Sequence, residues 1–188
     1  TKVINFSLSD VTSSIGSVIF NITNNSGAQN FTLNASQQGS TVYWNASINT
    51  ALFADGIFNI SVWFNDSAGN VNDSAMIVTL RFDNTRPNVA ATNFTRNINI
   101  SGSNHSGTHM LNVSLSDITA SIDTVYFNIT NSTGGQNKTL TANNAAGVYW
   151  NASLDTTQYP DGEYNITVYV NDTAGNLNSS ARIFRVIF

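Results

Sequence analysis

The chemistry written most densely into this sequence is a side-chain amide with a hydroxyl two places on. Asn-x-Ser/Thr occurs at 20 of the 29 asparagines. That is about threefold more than a Ser plus Thr content of roughly 23% gives by chance, and each such amide is an N-glycan acceptor in an exported chain. The foremost candidates are Asn21, Asn45, Asn59, Asn65, Asn128, Asn151, Asn165 and Asn171. Alternation alone explains part of the excess, because positions i and i+2 of a strand share a face, so outward faces paved with Asn, Ser and Thr generate the motif. It explains less well the choice of Asn over Lys or Glu there, or the sequons in expected turns at Asn24, Asn34, Asn72, Asn104 and Asn178.

A second spacing points the same way. An aromatic residue stands two places before Asn in Tyr43-Trp44-Asn45, Tyr149-Trp150-Asn151, Trp63-Phe64-Asn65, Tyr169-Val170-Asn171 and Tyr126-Phe127-Asn128. In a strand that places Tyr43, Tyr149, Trp63, Tyr169 and Tyr126 on the same face as their amides, where a ring can stack on a sugar. The alternative is that these rings are ordinary cross-strand partners or belong to a domain contact.

Other chemistries find less support. His105 and His109, the only histidines, lie four apart in a Ser/Gly-rich segment with no third ligand nearby, and read as solvated loop residues. Hydroxyls occur on nearly every strand, so no nucleophile with an adjacent base stands out. Asp55, Asp161, Asp66 and Asp172 occupy positions where Asp caps a turn through its own side chain. Asp10, Asp83 and Asp117 are the candidates for calcium at a domain junction, although they are too dispersed to form a recognisable loop. Seven Lys and Arg against eleven acidic residues leave no basic stripe for nucleic acid. No cysteine is present and no run approaches eighteen apolar residues, which excludes thiolate chemistry and gives no transmembrane helix candidate. No enzymatic function is expected from these residues.

The elements that must carry the amides are written twice. Shifting the sequence by 107 places matches Ile4–Ala35 to Leu111–Ala142, and by 106 places Val42–Phe82 to Val148–Phe188, with roughly 42 of about 73 positions identical. The single deletion falls before the Tyr-Trp pair. Asp83-Asn84-Thr85-Arg86-Pro87 reads as the turn between copies, giving domains 1–82 and 83–188. Within each copy the apolar period is two, as in Tyr164-Ile166-Val168-Val170 and Val18-Phe20-Ile22, and no convincing helix occurs. Some seven short strands per hundred residues predict an all-β protein of two tandem antiparallel β-sandwiches.

The segments "DGEYNITVYVNDTAGN" and "DNTRP" resemble the tandem immunoglobulin-like repeats of archaeal and bacterial cell-surface proteins, over nearly the whole chain. The sequon-rich character is most similar to archaeal surface or filament proteins. The resemblance implies an extracellular, cell-surface protein: a heavily N-glycosylated component of a filament, stalk, sheath or surface layer, or alternatively an adhesin or carbohydrate-binding module. Its partners would be copies of itself or adjacent repeats. The stretch from Val89 to Ser101 has no counterpart before Thr1, so copy one is expected to lack its first strand. Either preceding residues of a longer array supply that strand, which is the preferred expectation, or a neighbouring subunit donates it through the segment of Val89, Asn93, Ile98 and Ile100.

Overall fold

Alternation of apolar and polar side chains dictates strands whose two faces differ, and such strands can be satisfied only by packing their apolar faces together. The computed structural model describes residues 1–26, 30–89, 106–134 and 137–188, with backbone alone at 74–77 and 181–184. The chain divides into two units, Thr1–Asn84 and Thr85–Phe188.

The first unit comprises β1 (Lys2–Ser7), β2 (Ile15–Asn24), β3 (Asn30–Asn34), β4 (Ser36–Gln37), β5 (Tyr43–Ile48), β6 (Gly56–Asp66) and β7 (Val71–Phe82). One sheet has the order β3-β2-β6-β7 and the other β1-β5-β4, with every pairing antiparallel. The second unit comprises β8 (Asn88–Val89), β9 (Thr108–Ser116), β10 (Ile122–Asn131), β11 (Asn137–Thr141), β12 (Asn143–Ala146), β13 (Tyr149–Asp155), β14 (Glu163–Asp172) and β15 (Leu177–Ile187). Its sheets, β11-β10-β14-β15 and β12-β13-β9-β8, repeat the order of the first unit with one addition. That addition is β8, whose Asn88 and Val89 pair with Ser116 and Leu115 on the outer side of β9. Among the described residues β1 has no strand in that place.

Each unit encloses its own core. Val18, Phe20 and Ile22 of β2 meet Phe58, Ile60 and Val62 of β6 in the first, and Val125, Phe127 and Ile129 meet Tyr164, Ile166, Val168 and Val170 in the second. Each such side chain stabilises its unit by about 1.5–3 kcal/mol on burial, so these two strands per unit carry much of the fold. One end of each core is closed by three rings in matching geometry. Phe58 stacks on Phe82 at 4.6 Å and 27°, and Tyr164 on Phe188 at 4.6 Å and 25°, with Phe53 and Tyr159 tilted against them.

The turns explain the repeated "AGN". Asp172 accepts hydrogen bonds from the backbone N–H groups of Ala174 and Asn176 and from the Asn176 amide, at 2.8–2.9 Å. Asp66 does the same for Asn70. Gly69 and Gly175 take φ of 89° and 93°, a left-handed conformation that other residues adopt only under strain.

Two expectations change. His109 is a half-buried residue of β9 paired with Leu154, because the phase of Leu111, Val113 and Leu115 continues back to it; His105 lies outside the described residues. Asn72 and Asn178 lie within β7 and β15 and are strand residues, whereas Asn24 and Asn34 end β2 and β3, with Asn25 and Ser26 already in the turn. Asn104, Asn93, Ile98 and Ile100 also fall outside the described residues, and of the proposed donor segment only Val89 is placed.

Candidate functional site

The outward faces of the strands carry the amides and rings as ladders. On β10 and β14, Tyr126 lies directly opposite Tyr169, Asn128 opposite Thr167, and Thr130 opposite Asn165. On the other side of β10, Asn128 faces Thr139 and Thr130 faces Asn137. Tyr126, Asn128, Asn137, Thr139 and Tyr169 together line a shallow hollow of about 310 Å³. Tyr126 is 37% exposed and Tyr169 is half-buried, so the two tyrosines share the outer face of the sheet with amides and hydroxyls at neighbouring positions. Rings that offer apolar faces beside hydrogen-bonding groups are chemically matched to a sugar, which has C–H faces and a hydroxyl rim.

The first unit builds a different surface at the equivalent place. Ile19 stands opposite Trp63, which is 43% exposed, and Asn21 lies between Thr32 and Ser61. Asn21 is only 8% exposed and its Oδ1 makes no hydrogen bond. At that exposure the side chain leaves little room for a glycan, so Asn21 is the least favourable of the acceptor candidates. Alternation had placed it outward correctly; what covers it are its neighbours on β3 and β6.

The remaining acceptor candidates are all half-buried. Asn45 pairs across to Asn5 and Ser36, and Asn151 to Asn112 and Asn143, making polar rows on the outer faces beside the exposed rings Tyr43 and Tyr149. Asn59 accepts a hydrogen bond from the Thr79 hydroxyl at 3.0 Å. Asn65 accepts two from Ser17, through its N–H at 2.8 Å and its hydroxyl at 2.7 Å, across the irregularity between β2 and β6. Asn165 and Asn171 flank Tyr169 on β14.

The acidic residues divide by unit. Asp10 accepts from the N–H groups of Thr12 and Ser13, both at 2.7 Å, and these bonds hold its carboxyl below the usual range. Asp117 caps Thr119 and Ala120 in the same manner, and Asp83 directly follows β7. In the second unit Asp117 and Asp172 have carboxylate oxygens within 4.8 Å of each other, and the buried Oδ2 of Asp117 has no hydrogen-bond partner. Asp172 is 1% exposed. Two adjacent carboxylates with an unsatisfied oxygen form an arrangement that a hard divalent cation relieves, with waters or carbonyls completing its shell.

No curated protein matches the chain. Among solved structures, the tetra-tandem repeat in the extending region of a large adhesion protein is 18% identical with a TM-score of 0.42, covering 99% of this chain and 45% of that one. The FN1–FN3 domains of chicken CNTN1 are 12% identical with a TM-score of 0.43, covering 91% of this chain and 55% of theirs. A DUF3823 family protein from Bacteroides ovatus is 9% identical with a TM-score of 0.38, covering 100% and 99%. The chain thus spans about half the length of the first two, and at TM-scores below 0.5 none of the three carries weight for the arrangement of the whole. Residues 95–187 match the family model described as bacterial Ig-like domain, and since the first unit has the same strand order, the chain is two Ig-like sandwiches in tandem.

Proposed function

We propose that the chain is a tandem-repeat stretch of a cell-surface protein of the adhesion type, in which successive sandwiches supply length and an outer strand face of the second unit meets carbohydrate. The observation that carries this reading is the Tyr126–Tyr169 pair with its flanking Asn128, Asn137 and Thr139. A uniform spacer needs no such specialisation, and the first unit, with Ile19 opposite Trp63, does not share it. The likeness of the second unit to the bacterial Ig-like domain supports the modular part of the reading. The test is glycan-array binding followed by titration of the best soluble glycan. Tyr169→Ala should weaken binding by about tenfold, the loss of one ring stack. Equal binding by the variant, or no glycan bound at all, refutes the carbohydrate face.

A second reading keeps the same module in a dedicated filament, stalk, sheath or surface layer, coated with N-glycans and of archaeal type. It is favoured by the repetition of strand order and ring geometry in both units and by the half-exposed sequon amides on their outer faces. Glycopeptide mass spectrometry of native material should then find hexose on Asn151 and Asn171 and none on Asn21. Finding every sequon unmodified excludes the sugar coat, and electron microscopy of the same material separates filament or lattice from solitary adhesin.

A further inference from the structure

The two copies keep the same core and diverge on one outer face. Val18, Phe20, Ile60 and Val62 recur as Val125, Phe127, Ile166 and Val168, whereas Ile19, Trp63, Ile57 and Thr79 give way to Tyr126, Tyr169, Glu163 and Arg185. Strict alternation along β14 puts Glu163, Asn165, Thr167 and Tyr169 on that outer face, with Tyr164, Ile166, Val168 and Val170 buried beneath. Arg185 of β15 stands directly opposite Asn165. It is exposed and forms a bidentate ion pair with Glu163, Nε to Oε1 and Nη2 to Oε2, diagonally across the two strands.

The pair stands away from the two tyrosines along the strands. From Tyr169 to Asn165 the rise along β14 is about 13 Å, and Arg185 lies one strand farther across, about 4.8 Å. Between these ends, β10, β11 and β14 present amides and hydroxyls. Thr139, Asn128 and Thr167 form one row, and Asn137, Thr130 and Asn165 the next. A single sugar ring does not span that length. Arg185 and Glu163 cancel each other's charge, so neither an acidic nor a basic ligand gains net attraction from the pair. A guanidinium carries five N–H donors and a carboxylate several lone pairs, more than one bidentate contact uses. The Nη1 edge of Arg185 and the outer lone pairs of Glu163 therefore suit two neighbouring hydroxyls, one accepting and one donating.

We propose that the outer face of the second unit is an extended site for a neutral, linear oligosaccharide. One ring lies at Tyr126 and Tyr169, and the vicinal hydroxyls of a later ring are read by Arg185 and Glu163. The inference rests on the carbohydrate reading of this face and adds to it the length and charge of the ligand. In the first unit the equivalent positions hold Ile57 and Thr79, and the Thr79 hydroxyl is engaged with Asn59, so that face offers no second contact of this kind. An exposed ion pair contributes little to folding, so Arg185 and Glu163 can be exchanged for recognition tests without loss of the sandwich.

The experiment titrates the full chain calorimetrically with cello-oligosaccharides and manno-oligosaccharides of one to six units. In at least one series affinity should rise about tenfold once the ligand is long enough to span the face. Arg185→Ala and Glu163→Gln should each remove that gain and leave the binding of shorter members, and the melting of the second unit, as in the parent. Tyr169→Ala should instead weaken every length. An oligogalacturonate of equal length should bind no tighter than the neutral chain. Affinity independent of length, a gain that survives both substitutions, or tighter binding of the oligogalacturonate overturns the extended site and leaves the carbohydrate face standing. Binding to no member of either series overturns both.

Discussion

Replacing Asn84 by Ala removes the donor to Thr50 and Phe53 but leaves the backbone bond to Asp55 in place. An amide-to-carbonyl bond contributes about 0.5–1.5 kcal/mol net, and a buried carbonyl left without a partner costs more than an exposed one. The bond to Thr50 is exposed, so water replaces much of it; the bond to Phe53 is part-buried, so its carbonyl is the costlier loss. Weighted in this way the substitution costs the first unit about 1.5–2 kcal/mol. In a unit the length of Thr1–Asn84, each 1 kcal/mol moves the melting temperature by roughly 4–8 °C, so the first transition should fall by about 10 °C while the second stays fixed. Asn84→Asp should cost more than Ala, since it keeps the size but sets a carboxylate against two carbonyls and the Asp55 carboxylate. Differential scanning calorimetry of the full chain reads both transitions, with hydrogen exchange assigning them to units. A loss below about 0.5 kcal/mol for Ala, within the range of an ordinary surface change, refutes the latch. So does an Asp variant as stable as the parent.

Two further outcomes are expected. The Asp66 carboxyl is held down to about 2, first by the Asn70 amide against the opposing cost of burial, then by the Ser13 hydroxyl and the Asn70 N–H. Because the folded value lies below the ordinary 3.8, these bonds stabilise the first unit fully above about pH 4, and their contribution disappears as pH falls from there through about 2. Acid titration of unfolding should therefore show a limb in that window that Asp66→Asn flattens; an unchanged limb removes Asp66 as its source. Millimolar calcium added to chelator-treated chain should raise the melting temperature of the second unit, and Asp117→Asn should abolish the rise. No calcium response in the parent would leave the Asp117–Asp172 pair as turn caps only.

The sandwich and its duplication were legible because both rest on local rules: a period of two in stretches such as Tyr164 to Val170, and Asp and Gly at the turns. Which face of β2 or β14 looks inward follows from that period alone. What was not legible depends on residues remote in sequence. Asn21 is outward by alternation yet covered by neighbours on β3 and β6. Asn72 and Asn178 looked like turn residues because "GN" precedes them closely, but β7 and β15 begin at once after the turn. Asp83-Asn84-Thr85 read only as a linker. Its amide finds partners some thirty residues back, at Thr50 and Phe53, and nothing in its own neighbourhood announces them. The signal that was present is the repetition of Thr50, Asp55 and Phe82 as Thr156, Asp161 and Phe188, which the duplication preserves.

The position of Asn84 also has a mechanical consequence. A pull on the chain beyond it loads the amide bonds to Thr50 and Phe53 before it reaches the Phe82–Gly56 pairing and the rest of β7. Antiparallel β7 would otherwise unzip from β6 one rung at a time from that end, the weakest geometry a strand can present to tension. A single side chain thus acts as a stitch at the end of the seam, raising the force at which unravelling starts and leaving the relaxed fold unchanged.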